Sequence, residues 1–153
     1  MPKIGGVDYR DGARERLEEA GILLRQGRLG GCVYLAGRAV EGMLRGVLWQ
    51  SDPDYVTGRK SLETGHSLRD LLVTVGRLNV LADDPLQFRI AANVAHVGRL
   101  WLNDLRFLPE RWIKTKWFEL GEIGGKRTLK KAVEEYYDAC SGVIKRCEAV
   151  WHN

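Results

Sequence analysis

The chain has 153 residues, 44% of them apolar and 29% charged, with a formal net charge of +4. That length can bury a core as one domain, and no apolar run approaches the length needed to span a bilayer. The basic excess is compatible with a polyanionic partner but falls well short of an obligate nucleic-acid binder.

The N-terminal stretch MPKIGGVDYRDGARER lacks the apolar centre of a signal peptide, so a cytoplasmic location is expected. Cys32, Cys140 and Cys147 leave an odd thiol in any pairing scheme. In a reducing compartment they read as free, buried, small apolar residues.

The apolar period is 3.6 almost throughout, which predicts an all-α fold. The first helix is expected over about 10–26, with Gly27 as its stop. The second is expected over about 29–50. Its Gly37, Gly42 and Gly46 cost helix propensity and imply close approach of a neighbour. Arg38, Glu41 and Arg45 share a polar stripe at spacings of three and four, so Glu41 reads as an ion-paired surface carboxylate.

Residues 51–65 are polar and turn-rich and read as a loop. A third helix follows over 66–79, then the turn ADDP, then a fourth helix over 84–107. Residues 109–127 are aromatic and basic without a clear period, and read as a long irregular segment. The last helix begins near Thr128. Four to five antiparallel helices with short connections imply an up-and-down bundle.

The fourth helix carries the polar residues of most chemical interest. Arg89 and His96 are seven apart, which returns a helix to nearly the same face, roughly 10 Å along the axis. Asn93 lies between them, Asn103 continues the stripe, and Arg99 lies beside it. Ile90, Val94, Val97, Trp101 and Leu105 form the opposite, core-facing arc. Leu100 points the same way as the stripe, which is therefore not fully solvated.

A histidine near its normal pKa can take a proton from a 2′-hydroxyl or return one to a leaving oxygen. An arginine can brace a phosphate, and an amide can orient it. Spacing does not single out this pair, because Arg59 precedes His66 and Arg146 precedes His152 at similar distances. Context does: Arg59 lies in a loop, and His152 lies beside the C-terminus. Cys140, Cys147 and His152 have no recognised ligand spacing, and neither metal nor cofactor is expected.

Several ordered features resemble the HEPN family of small helical domains. Ala36, Gly37, Ala39, Val40 and Glu41 look like the AG-x-AVE pattern of that family's first helical hairpin. GHSLRDLL at 65–72 resembles its short third helix, and WLNDLRF at 101–107 its Trp-to-Arg-aromatic stretch. The likeness spans roughly residues 10–150.

The resemblance implies a helical bundle that often dimerises and, in many members, a metal-independent endoribonuclease of toxin or host-defence type. The family's Arg–x4–6–His motif lands on Arg89 and His96. Ile90 stands where that motif usually has a polar residue, and Asn93 is the stand-in one turn on.

On this reading His96, Arg89 and Asn93 are catalytic. Arg99, Asn103, Arg106, Lys126, Arg127, Lys130 and Lys131 attract RNA. Trp112 and Trp117 either stack bases or pack over the bundle's end. The lysines near the last helix are either RNA contacts or a solvated first turn.

The alternative class is a non-catalytic module, a homodimer or the partner of a small nucleotidyltransferase. A third class, a nucleotide pocket at GEIGGKR over 121–127, lacks phosphate-loop spacing.

Overall fold

A computed structural model describes residues 4–51, 68–77 and 86–151 of the chain. Helices α1 (Gly6–Arg25) and α2 (Leu29–Ser51) are followed by α3 (Leu68–Arg77) and α4 (Leu86–Leu100). A 3-10 turn (Asn103–Phe107), α5 (Glu110–Glu119) and α6 (Leu129–Val150) complete the fold. The described residues contain no strand, and only an isolated bridge joins Gly124 to Arg127. None of their helices is long and apolar enough to cross a membrane. The expected loop over 51–65, apart from Ser51, lies outside the described residues, as do the expected third-helix ends and the ADDP turn.

Local chemistry sets the helix ends. The Asp8 carboxylate reaches back to the Gly5 N–H at 2.7 Å, so α1 starts at Gly6, four residues before the expected start. Gly27 takes φ +72° and closes α1 with a Schellman motif. Its N–H donates to Leu24 O and that of Arg28 to Leu23 O. Thr128 caps α6 by accepting from the Lys131 N–H at 3.2 Å.

Helix α2 is the hub. It packs against α1 as an antiparallel hairpin, and against α3, α4 and α6. The α2–α6 pair instead runs in one direction. Tyr136 donates its hydroxyl to Val33 O at 3.0 Å, and Trp151 lies against Gly46 a few turns further along both helices. The core includes Val33, Val40, Met43, Leu44 and Leu48 of α2, with Tyr136 and Ile144 of α6.

The glycines of α2 mark close approaches. A Cβ on Gly46 would lie 2.9 Å from the Trp151 ring and 3.1 Å from Gly6 O. One on Gly37 would lie 2.2 Å from the Trp101 ring. Gly42 leaves only ordinary contact with Tyr9 O, at 3.6 Å.

Two expected boundaries are corrected. The fourth helix ends at Leu100 instead of continuing to 107. Trp101 inserts its ring against Gly37 and donates its indole N–H to Tyr34 O at 3.2 Å, while the Trp117 indole donates to Leu100 O at 3.2 Å. The bond from Trp117 satisfies the last carbonyl of the helix, and the seating of Trp101 on α2 turns the chain out of it.

The segment read as irregular contains the ten-residue helix α5. Ile113 and Trp117, four apart, are its buried stripe. Trp112 and Phe118 are more than half exposed, and this obscured the period.

Candidate functional site

Helix α4 packs one face onto the core through Ile90, Val94 and Val97, and Leu100 on the polar stripe is buried too, as expected of a stripe that is not fully solvated. Asn93 of its polar stripe faces α6. The amide nitrogen of Asn93 lies 2.9 Å from the point a Cβ on Gly142 would occupy, so the missing side chain in α6 makes room for it. His96, one turn on, is half-buried. Arg89 lies in the first turns of α4, and its side chain is outside the described residues.

His96 lies within the electrostatic reach of Arg99, Glu135 and Arg127. Burial pushes its pKa below the ordinary histidine value, and the Arg99 guanidinium pushes it further the same way. Glu135 opposes both effects, and Arg127 adds to the lowering. The imidazole is thus held toward its neutral form, the form that accepts a proton.

Two carboxylates hold the neighbouring cations. Arg99 forms an ion pair with Glu122 and donates to Leu120 O at 3.3 Å. Arg127 binds Glu135 through both terminal nitrogens, at 2.8 and 2.5 Å. It also donates to the backbone oxygen of Glu122 at 2.6 Å and lies 3.6 Å from that residue's carboxylate. These hydrogen bonds hold the Glu135 carboxyl below the usual range, the bond from Arg127 being the largest cause.

Glu122 is placed by a second Schellman motif. Gly121 takes φ +78° after α5, and the Glu122 N–H donates to Trp117 O at 2.9 Å. Helix α4, the turn after α5 and helix α6 are thereby tied together beside His96.

Of the residues expected to bind substrate, the structure brings Arg99 and Arg127 together with His96. Lys126, Lys130 and Lys131 are exposed on the same turn and the start of α6, and Lys131 acts electrostatically on Glu135. Asn103 and Arg106 belong to the 3-10 turn, so neither continues the α4 stripe at helical spacing. Their side chains lie outside the described residues.

Trp117 is fully buried, with its ring 5.6 Å from Tyr136, and is a packing residue. Trp112 is 52% exposed. Arg59, His66 and His152 lie outside the described residues.

Sequence reasoning missed Glu122 and Glu135 as partners of the arginines. Glu135 is eight positions from Arg127, two turns into α6, a separation at which cap-to-helix pairs can be sought. No local signal links Glu122 to Arg99, because that pair depends on how α4 meets the turn.

A cleft of about 630 Å³ lies between α1 and α2, with Tyr9, Arg16, Tyr34, Arg38, Glu41 and Arg45 in its walls. Glu41 is 3% exposed, which corrects the surface reading. Its two oxygens accept from Arg38 at 3.0 Å and Arg45 at 3.1 Å, so the expected pairing is present but buried.

All three cysteines are buried and free. Among the described residues no group of three His, Cys, Asp or Glu side chains is placed to hold a metal ion. Comparison with models of known families, with curated proteins and with solved structures finds no match to this chain.

Proposed function

We propose that the chain is an RNA-directed, HEPN-like helical domain, an up-and-down bundle acting as a metal-independent endoribonuclease. His96 takes the proton from a 2′-hydroxyl and returns one to the leaving 5′-oxygen. Arg89 braces the phosphate and Asn93 orients it. Arg99, Arg127 and the neighbouring lysines draw in the strand. A homodimer and a role in toxin or defence systems are part of the same reading.

The observation that carries it is the setting of His96. A half-buried imidazole, its pKa lowered by burial first and Arg99 second, lies within the electrostatic reach of two guanidiniums and of the Glu135 carboxylate. A neutral base next to fixed positive charge is what abstraction of a hydroxyl proton near a phosphate requires.

The second reading is a non-catalytic module that binds a partner such as a small nucleotidyltransferase. It is favoured by the carboxylates already seated on Arg99 and Arg127, and by the packing of Asn93 against Gly142. Cleavage of a structured RNA in excess EDTA, comparing wild type with His96→Ala and His96→Gln of equal helicity, separates the two. Cleavage that either variant abolishes supports the ribonuclease. Intact RNA with all three proteins moves the assignment to the partner-binding module.

A further inference from the structure

We propose that the turn from Phe118 to Arg127 is a subsite for an unpaired RNA strand. Arg99 and Arg127 hold a backbone phosphate there in place of the Glu122 carboxylate, while Phe118 stacks a base. The inference rests on the RNA-directed reading and adds to it the state of the strand and the group that occupies the site beforehand.

The first observation is the seat of Glu122. Its side chain is only 11% exposed, and guanidiniums from two different elements reach it, Arg99 from α4 and Arg127 from the far end of the turn. Two guanidiniums converging on one oxyanion is the donor arrangement that also suits a phosphodiester. The exchange is balanced in charge, since one monoanion leaves the guanidiniums and another arrives. It needs no backbone change. The Schellman bonds hold the Glu122 main chain, so rotation of its side chain into water is enough.

The charge around the seat favours an incoming anion. Arg99, Arg127 and Lys131 face Glu122 and Glu135, and Lys126 is exposed on the same turn. With Glu119, exposed beside Phe118, four cations stand against three carboxylates, a local positive excess of one that grows by one charge when Glu122 swings out.

The second observation is Phe118, in the last turn of α5 just before that loop, which is 63% exposed. Its carbonyl accepts from the Gly121 N–H at 3.0 Å, and its ring lies 3.5 Å from where a Cβ on Gly124 would stand. Gly124, at φ +139°, exchanges backbone hydrogen bonds of 3.0 Å with Arg127. One edge of the ring is thus fixed against the stretch of chain that carries the phosphate-binding arginine, and the rest is open. An open aromatic face beside guanidiniums fits a base and its phosphate. Inside a duplex both faces of a base are covered by its stacked neighbours, so an unpaired, unstacked strand is selected.

The test uses a fluorescent 2′-O-methyl RNA octamer and its blunt duplex, in EDTA at fixed salt, with anisotropy as the readout. The octamer lacks the free 2′-hydroxyl, so binding is measured whether or not the protein cleaves RNA. Glu122→Gln should bind the octamer about fivefold more tightly than wild type. Phe118→Ala should bind the octamer about fivefold or more weakly, with little change for the duplex.

Unchanged or weaker binding by Glu122→Gln overturns the proposal. So does a Phe118→Ala protein that loses both ligands equally or neither, and so does the absence of binding by wild type and Glu122→Gln alike. If Glu122→Gln loses helicity, the wild-type protein decides. Saturating octamer must then shift the Arg99 and Arg127 Nε–H resonances, and unmoved resonances overturn the subsite. Gains and losses in binding as expected, with no cleavage of ordinary RNA, keep the subsite and remove the ribonuclease. Cleavage that depends on His96 without these binding changes does the reverse.

Discussion

Replacing Gly37 with alanine should destabilise the fold by about 2 kcal/mol, although alanine is the better helix former. The new Cβ would meet three atoms of the Trp101 indole at 2.2–2.4 Å, where no real Cβ fits. The neighbour is the body of a ring, 4% exposed, stacked on Tyr34 and bonded to Tyr34 O at 3.2 Å. Its room to move is the groove between α3 and α4, which Trp101 itself lines. Moving there gives up the indole hydrogen bond.

Overpacking of this kind costs about 1–3 kcal/mol. The lost hydrogen bond adds about 0.5–1.5 kcal/mol. Helix propensity returns about 1 kcal/mol. Gly12 is the control: it lies inside α1, and a Cβ there meets nothing within 4 Å. Gly12→Ala should therefore stabilise by about 0.5–1 kcal/mol. Urea unfolding followed by circular dichroism reads both, and thermal midpoints should fall by roughly 5 °C for Gly37→Ala. A Gly37→Ala protein as stable as Gly12→Ala would refute the argument that the ring's position depends on the absent side chain.

Three further outcomes are expected. His96 has a folded pKa below its unfolded value, so the folded state binds fewer protons than the unfolded state between the two. Its contribution to stability is complete above about pH 6.5 and is lost as pH falls through the folded value. His96→Gln should flatten that slope, and an imidazole resonance titrating at or above the ordinary histidine value would contradict the assignment.

Glu41→Gln replaces the carboxylate that Arg38 and Arg45 share, whose side chain is 5% exposed, and should lower stability by about 2 kcal/mol. A loss near that of a surface pair, under about 1 kcal/mol in urea unfolding, would show that the pair carries little. The Cys32 and Cys147 thiols are pushed up to about 12 by burial, and that of Cys140 is also raised. A disulfide-exchange reagent should find no reactive thiol in the native protein and three after denaturation. Rapid reaction of any native thiol would mean that its helix opens.

The parts of this fold legible from residues alone are those whose causes are local. Gly27 and Thr128 end and begin helices through bonds within a few positions, so the C-terminal end of α1 and the start of α6 follow from short stretches of chain. The apolar period of α2 and the i,i+3 and i,i+4 spacings of Arg38, Glu41 and Arg45 likewise foretell a helix and its ion pairs. What they could not foretell is that the Glu41 pair is buried, since that depends on α1 lying across it.

Everything decisive about the candidate site came from contacts between elements distant in sequence. Trp101 ends α4 because Tyr34 and Gly37 receive it, and Trp117 completes that end from the next helix. Asn93 of the stripe faces α6 because Gly142 leaves space there. Arg99 meets Glu122 only once the turn after α5 is folded against α4. Hydrogen bonds and ion pairs between neighbours on one helix are fixed by its geometry. Those between helices depend on packing, which the order of residues specifies only through the whole core at once.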